Sequence, residues 1–176
     1  MQPRLGMAVA CAYCSFENHC TAEGILRSII HQLLVQHPEI LPIVKEHYDE
    51  HRLHKTPLSL AKVVKMLNSV IGSIGETHIV VDGLDEISED KERTTLLQVL
   101  QTLPARVLIF SRPLGIHLKH LPSATVFPID AKEEDIERYV VSSLVNHLSL
   151  QESIRGADDP LVREVATKIR ETSRGM

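Results

Sequence analysis

Short, continuously apolar runs separated by segments of helical periodicity constrain this chain more than any other feature. "MAVACAYCSF" (residues 7–16), "HIVV" (78–81), "RVLIF" (106–110) and "ATVFPI" (124–129) carry almost no alternation of polar and apolar residues. A strand that is apolar on both sides needs cover on both sides, and a parallel sheet between helices gives it. The expected fold class is therefore α/β, a three-layer parallel sheet with helices on both faces.

The intervening segments read as those helices. Thr21 is a plausible N-cap, and Ile25, Leu26, Ile29, Ile30, Leu33 and Leu34 then fall on one helical face. Pro38 ends that helix and opens another, with Ile40, Ile43, Val44, His47 and Tyr48 as its stripe. Leu60, Val63, Val64, Leu67, Val70 and Ile71 make a third, which Gly72 and Gly75 are expected to stop. A fourth carries Leu96, Leu97, Val99, Leu100 and Leu103 and closes at Pro104. Asp130 and Glu133 have capping-box spacing, and Asp159 with Pro160 reads as the start of a last helix.

Composition narrows the function. A length of 176 residues suffices for one domain with a real core. A formal charge of −4 argues against broad binding to nucleic acid or anionic membrane, and 3% aromatic residues without Trp argue against a base-stacking platform. No apolar run approaches the roughly 20 residues of a membrane helix. The three cysteines are odd in number and close together, which suits a reducing, cytoplasmic setting. Cys11, Cys14, His19 and Cys20 invite a zinc reading, but Cys11 and Cys14 fall in a strand with side chains on opposite faces, so buried thiols are the simpler expectation. Lys91, Glu92 and Arg93 read as a solvated first turn.

The acids after the second run carry the chemistry. "HIVVDGLDE" places Asp82, Asp85 and Glu86 at the carboxyl end of a buried strand, and "RVLIFSRP" places Ser111 and Arg112 at the end of another. Ligands of open parallel sheets bind beyond the carboxyl ends of the strands. A strand-end Asp suits a carboxylate that holds Mg²⁺ through water. A second acid can orient or deprotonate an attacking water, and an Arg opposite can stabilise charge on a γ-phosphate. The same acids could instead cap the helix that follows, where its positive N-terminus favours them.

"HIVVDGLDE" followed by "RVLIFSRP" resembles the Walker B and sensor 1 segments of NACHT domains, signal-transduction NTPases of the P-loop type. The fungal branch, also described as nephrocystin-3-like N-terminal domains, is the most similar. "CAYCSFENHCTAEGILRSIIHQLL" is similar to its strand and long helix after the phosphate-binding helix, and "PIDAKEEDIERYV" to a later strand and helix. The resemblance implies Asp82 as the Mg²⁺-side acid, Asp85 and Glu86 as the catalytic acids of water activation and conformational coupling, and Gly83 as the small residue between them. It implies that Ser111 and Arg112 face the nucleotide, Arg112 reading the γ-phosphate. ATP or GTP with Mg²⁺ would be the cofactors of a complete domain, and self-association or other domains of a larger signalling protein the partners.

One departure is severe. Phosphates need an amide cradle of the form G-x-x-x-x-G-K-S/T, and no Gly is followed by Lys anywhere in this chain. The resemblance therefore implies a P-loop NTPase-like sheet incomplete at the N-terminus. Residues 1–150 would be the partial core and 151–176 the start of a following helical region. The chain would be inactive on its own, and a non-catalytic interaction or oligomerisation module stands as the alternative.

Overall fold

Gly6–Tyr13 extends as β1, the first strand of a sheet whose order is β1-β2-β3 and whose pairings are parallel throughout. The computed structural model describes residues 6–54, 58–113, 119, 121–129, 132–147, 156 and 158–173. After β1 come α1 (Ala22–Gln36), a 3-10 turn (Pro38–Ile40), α2 (Leu41–His54), α3 (Leu60–Ile74), β2 (Gly75–Asp82), a second 3-10 turn (Leu84–Glu86), α4 (Asp90–Leu100), β3 (Arg106–Phe110), α5 (Glu133–Asn146) and α6 (Pro160–Ser173). The chain divides into two compact units, Met1–Ala124 and Thr125–Met176.

In the first unit the register sets the two faces of the sheet. Ala10 sits beside Ile79 and Ile79 beside Val107, while Tyr13 sits beside Asp82 and Asp82 beside Phe110. Ala8, Ala10, Ala12, Thr77, Ile79 and Val81 are buried and share a core with the stripes of α1, α3 and α4. β1 supplies only alanines to this face, and their small side chains let α1 approach closely. Leu26, Ile29 and Leu33 of α1 and Leu67, Ile71 and Ile74 of α3 are buried against it. Each such side chain contributes about 1.5–3 kcal/mol by leaving water.

The opposite face differs from the sequence reading. Met7, Val9, Tyr13, Leu108 and Phe110 are exposed there, Leu108 at 51% and Phe110 at 41%. Among the described residues of this unit, the expected three layers reduce to a sheet with helices on one face. The strand "ATVFPI" is also corrected. Residues 124–129 form no strand, and Val126, Phe127 and Ile129 are exposed. Pro128 brings no N–H to a ladder, which makes the segment a poor sheet strand.

Helix ends follow local chemistry. Thr21 Oγ1 accepts from Gly24 N at 3.1 Å, the expected N-cap. α3 runs through Gly72 and stops at Gly75, whose φ of 110° favours glycine. The roughly 1 kcal/mol that a mid-helix glycine costs is outweighed by burying Ile74 one half-turn later. Asp130 lies outside the described residues; α5 begins at Glu133 with Lys132 in the cap position, so the expected capping-box register is not the one adopted. Asp159 Oδ1 accepts from Leu161 N at 3.0 Å in front of Pro160, as expected for α6. In the second unit α5 and α6 pack on each other, with Val140, Val162 and Ala166 buried.

The outer edge of β1 is sealed by side chains. Gln32 Nε2 donates to Cys11 O at 2.7 Å and its Oε1 accepts from Cys11 N at 2.9 Å. One helical turn on, Gln36 does the same to Val9, at 2.7 and 3.1 Å. His37 Nε2 lies 3.3 Å from Met7 O. Four helical residues rise about 6 Å and two strand residues about 6.6 Å, so amides at i and i+4 of α1 match alternate residues of β1.

Candidate functional site

β2 and β3 end side by side, and the turn after β2 is stitched to the strands on both sides. Cys14 N donates to Asp82 O at 2.9 Å, extending the β1–β2 ladder. Gly83 N donates to Phe110 O at 3.1 Å, extending the β2–β3 ladder. Gly83 has a left-handed φ of 73°, and a Cβ there would stand 2.9 Å from Cys14 O. Only glycine lets the chain turn this close to the neighbouring backbone. Leu84, buried at 3%, and Ile87, at 1%, anchor the turn to the core, and Glu86 N closes it on Gly83 O at 2.8 Å.

This turn distributes the acids unequally. Asp82 is exposed on the open face of the sheet, and no described residue donates to its carboxylate. Asp85 is turned inward across the crevice. Its Oδ1 accepts from Arg112 N at 3.1 Å and lies 3.4 Å from Ser111 Oγ, and its Oδ2 lies 3.6 Å from Arg112 Nε. The shorter bond of the Ser111 hydroxyl runs to Arg112 O at 2.9 Å. Glu86 is half-buried beside Gly83, and its charge and that of Asp82 lie near the Cys14 thiol. All six residues singled out in the sequence thus stand at one end of two adjacent strands.

Burial pushes the Cys14 thiol up to about 11, and the Cys20 thiol and the carboxylates of Asp82 and Glu86 push it the same way. Cys14 is in the core, while Cys11 is on the other side of β1, as the odd spacing requires. Among the described residues no three His, Cys, Asp or Glu side chains are grouped to hold a metal ion. Mg²⁺ asks less of the protein, since water and phosphate supply most of its ligands, and the uncommitted Asp82 carboxylate fits that role.

Two residues expected to be solvated are engaged instead. Glu92 Oε2 accepts from Ala22 N at 2.7 Å, so α4 supplies a carboxylate to the first turn of α1. Arg93 donates through Nη1 to Ile87 O at 2.6 Å and through Nη2 to Asp90 Oδ1 at 3.1 Å, holding the segment after the acids onto α4. Their sequence signal is a charged first turn like any other; the packing of α4 against α1 engages Glu92, and the fold of the segment just before α4 engages Arg93. The Gln32 and Gln36 pair was equally silent, since glutamines at i and i+4 are ordinary on an exposed helix face.

A three-stranded parallel α/β unit with an acidic turn between two strand ends is the class this geometry defines. The family model described as Nephrocystin 3, N-terminal, matches residues 2–112, which takes in all three strands and ends at Arg112. The chain belongs to that family. No curated protein and no solved structure matches it. No helix among the described residues is long and apolar enough to cross a membrane.

Proposed function

We propose that this chain is part of a NACHT-type nucleotide-binding signalling module and that the turn 82–86 is its Mg²⁺–nucleotide side. The observation that carries the reading is the convergence of Asp82, Asp85, Glu86, Ser111 and Arg112 at the carboxyl ends of β2 and β3, where parallel sheets bind ligands. In this reading Asp82 faces the metal. Bound Mg²⁺ would supply positive charge to the phosphate oxygens. Arg112, with its guanidinium in solvent and its backbone fixed by Asp85, reaches a terminal phosphate. Asp85 couples that reach to the turn, and Glu86 stands beside it as the second acid. The chain holds no Gly–Lys pair, so these residues bring no amide cradle, and the expected affinity for ATP or GTP is weak, with no turnover above buffer.

The second reading is a non-catalytic interaction or oligomerisation module. It is favoured by the engagement of Asp85 with Arg112 and Ser111 and by the exposed apolar side chains of Val9, Leu108 and Phe110. Amide chemical shifts followed during titration with Mg-ATP and Mg-GTP to millimolar concentration separate the two. Changes confined to residues 82–86 and 111–112, and lost in Asp82→Asn, support nucleotide binding. A spectrum that does not move, or that moves only with protein concentration, supports the interaction module.

A further inference from the structure

We propose that the free border of β3 pairs with the same border of a second copy of this chain, antiparallel and centred on Leu108. The proposal rests on the reading of the chain as an interaction module and names its partner. Phe110 O accepts from Gly83 N, so Phe110 and, by alternation, Leu108 and Arg106 direct their backbone groups to β2. Val107 and Ile109 then direct theirs to the other side, where no described residue meets them. A second copy presents the same two residues. Turned antiparallel, Val107 of one copy and Ile109 of the other exchange both N–H···O=C bonds, and the two-fold axis repeats the exchange. Pro104 and Pro113, which lack N–H groups, bound the seam at both ends. The β1 border offers no such pairing, because Gln32 and Gln36 already hold Cys11 and Val9.

Side chains on the open face choose the register. Centring on Ile109 would set Arg106 of one copy against Arg112 of the other, like charges across one rung. Centring on Val107 would set Arg106 against Leu108 and leave the exposed Phe110 ring opposite Pro104. Centring on Leu108 sets the two exposed leucines against each other and Arg106 against Phe110. There the guanidinium lies over an aromatic ring and is directed toward Asp82, which sits beside Phe110 in β2 and has no described donor. The cationic start of one β3 thus meets the acidic end of the other sheet. A seam of 5 residues on each side buries less than a standard interface, so the dimer is weak and forms at high protein concentration.

The test uses the whole chain. Sedimentation across a dilution series should read a reversible monomer–dimer step. Leu108→Lys sets two cations face to face at the centre of the seam and should raise the dissociation constant by about tenfold or more. The thermal melt of the dilute monomer should not change, since Leu108 is exposed there. Cross-linking reads the register in a background of Cys11→Ser and Cys20→Ser, with Cys14 left in the core. Facing residues of a pair without hydrogen bonds bring their Cα atoms to about 4.5 Å, within disulfide reach. Under mild oxidation the Leu108→Cys variant should therefore link to itself. The Arg106→Cys and Phe110→Cys variants should each stay unlinked alone and link when mixed. Association undiminished in Leu108→Lys, or links that follow another register, would overturn the inference and leave the interaction reading standing. A chain that stays monomeric at every concentration would overturn both.

Discussion

Asp85 holds Arg112 by its backbone more firmly than by its charge. The Arg112 N–H donates to Asp85 Oδ1 at 3.1 Å, while the guanidinium lies 3.6 Å from Oδ2 with its side chain 83% exposed. The carboxylate beneath is only 12% exposed. The pair is therefore a tether of one strand end to the next turn, with a cation left free to move above it.

That inequality sets the first prediction. Asp85→Ala removes the largely buried carboxylate that accepts from the Arg112 N–H and should cost about 1–3 kcal/mol in urea denaturation. Arg112→Ala loses only an exposed ion pair and should cost less than about 1 kcal/mol. Equal losses would place the tether in the guanidinium.

Two glycines should respond in opposite directions. Gly83→Ala forces a Cβ into 2.9 Å contact with Cys14 O at a left-handed φ, and should destabilise by about 2 kcal/mol or more. Gly72→Ala lies in the interior of α3 with nothing within 4 Å of the added carbon, and should stabilise by up to about 1 kcal/mol. Thermal melts of both variants against wild type check the pair.

The edge seal should be measurable both as stability and as solubility. Gln36→Leu leaves Val9 N–H and C=O without their partners and should cost about 1–2 kcal/mol. An unsealed strand edge also templates pairing with other chains, so the double variant with Gln32→Leu should associate at concentrations where wild type does not. Light scattering across a dilution series reads this directly, and unchanged size would mean that the amides do not guard the edge.

The Cys14 thiol gives a pH dependence of defined sign. Its folded value of about 11 lies above the ordinary thiol value of 9.0, so folding favours the protonated thiol. The contribution is full below about pH 9 and is lost as the pH rises through 11. The stability difference between wild type and Cys14→Ala should therefore be constant from pH 7 to near 9 and shrink above it. A difference that stays flat to pH 11 would mean that the thiol is not buried in solution.

Much of this was legible before any coordinates. The stripes of α1 and α3 are written in period, because a helix that buries one face repeats its apolar residues every three or four positions. The strands at 78–81 and 106–110 show as unbroken apolar runs, and the residues just past them are the ones the sheet brings together at its carboxyl end. What periodicity could not give was pairing. "ATVFPI" has the composition of a strand, but composition does not supply a neighbour, and those residues remain outside the sheet. Apolar runs likewise promised cover on both faces and could not say that Leu108 and Phe110 would lie exposed. Glu92, Gln32 and Gln36 act across long stretches of sequence, and a polar side chain carries no mark of which backbone group it will meet.

The two glutamines of α1 have a last consequence, for how this sheet can be enlarged. They act as a chain terminator: the backbone groups of Val9 and Cys11 that would receive a further strand are already occupied. Among the described residues β3 is the other border of the sheet, so growth is one-way. Any added strand, whatever its origin, comes to lie beside Arg106–Phe110 and next to the turn that carries Arg112.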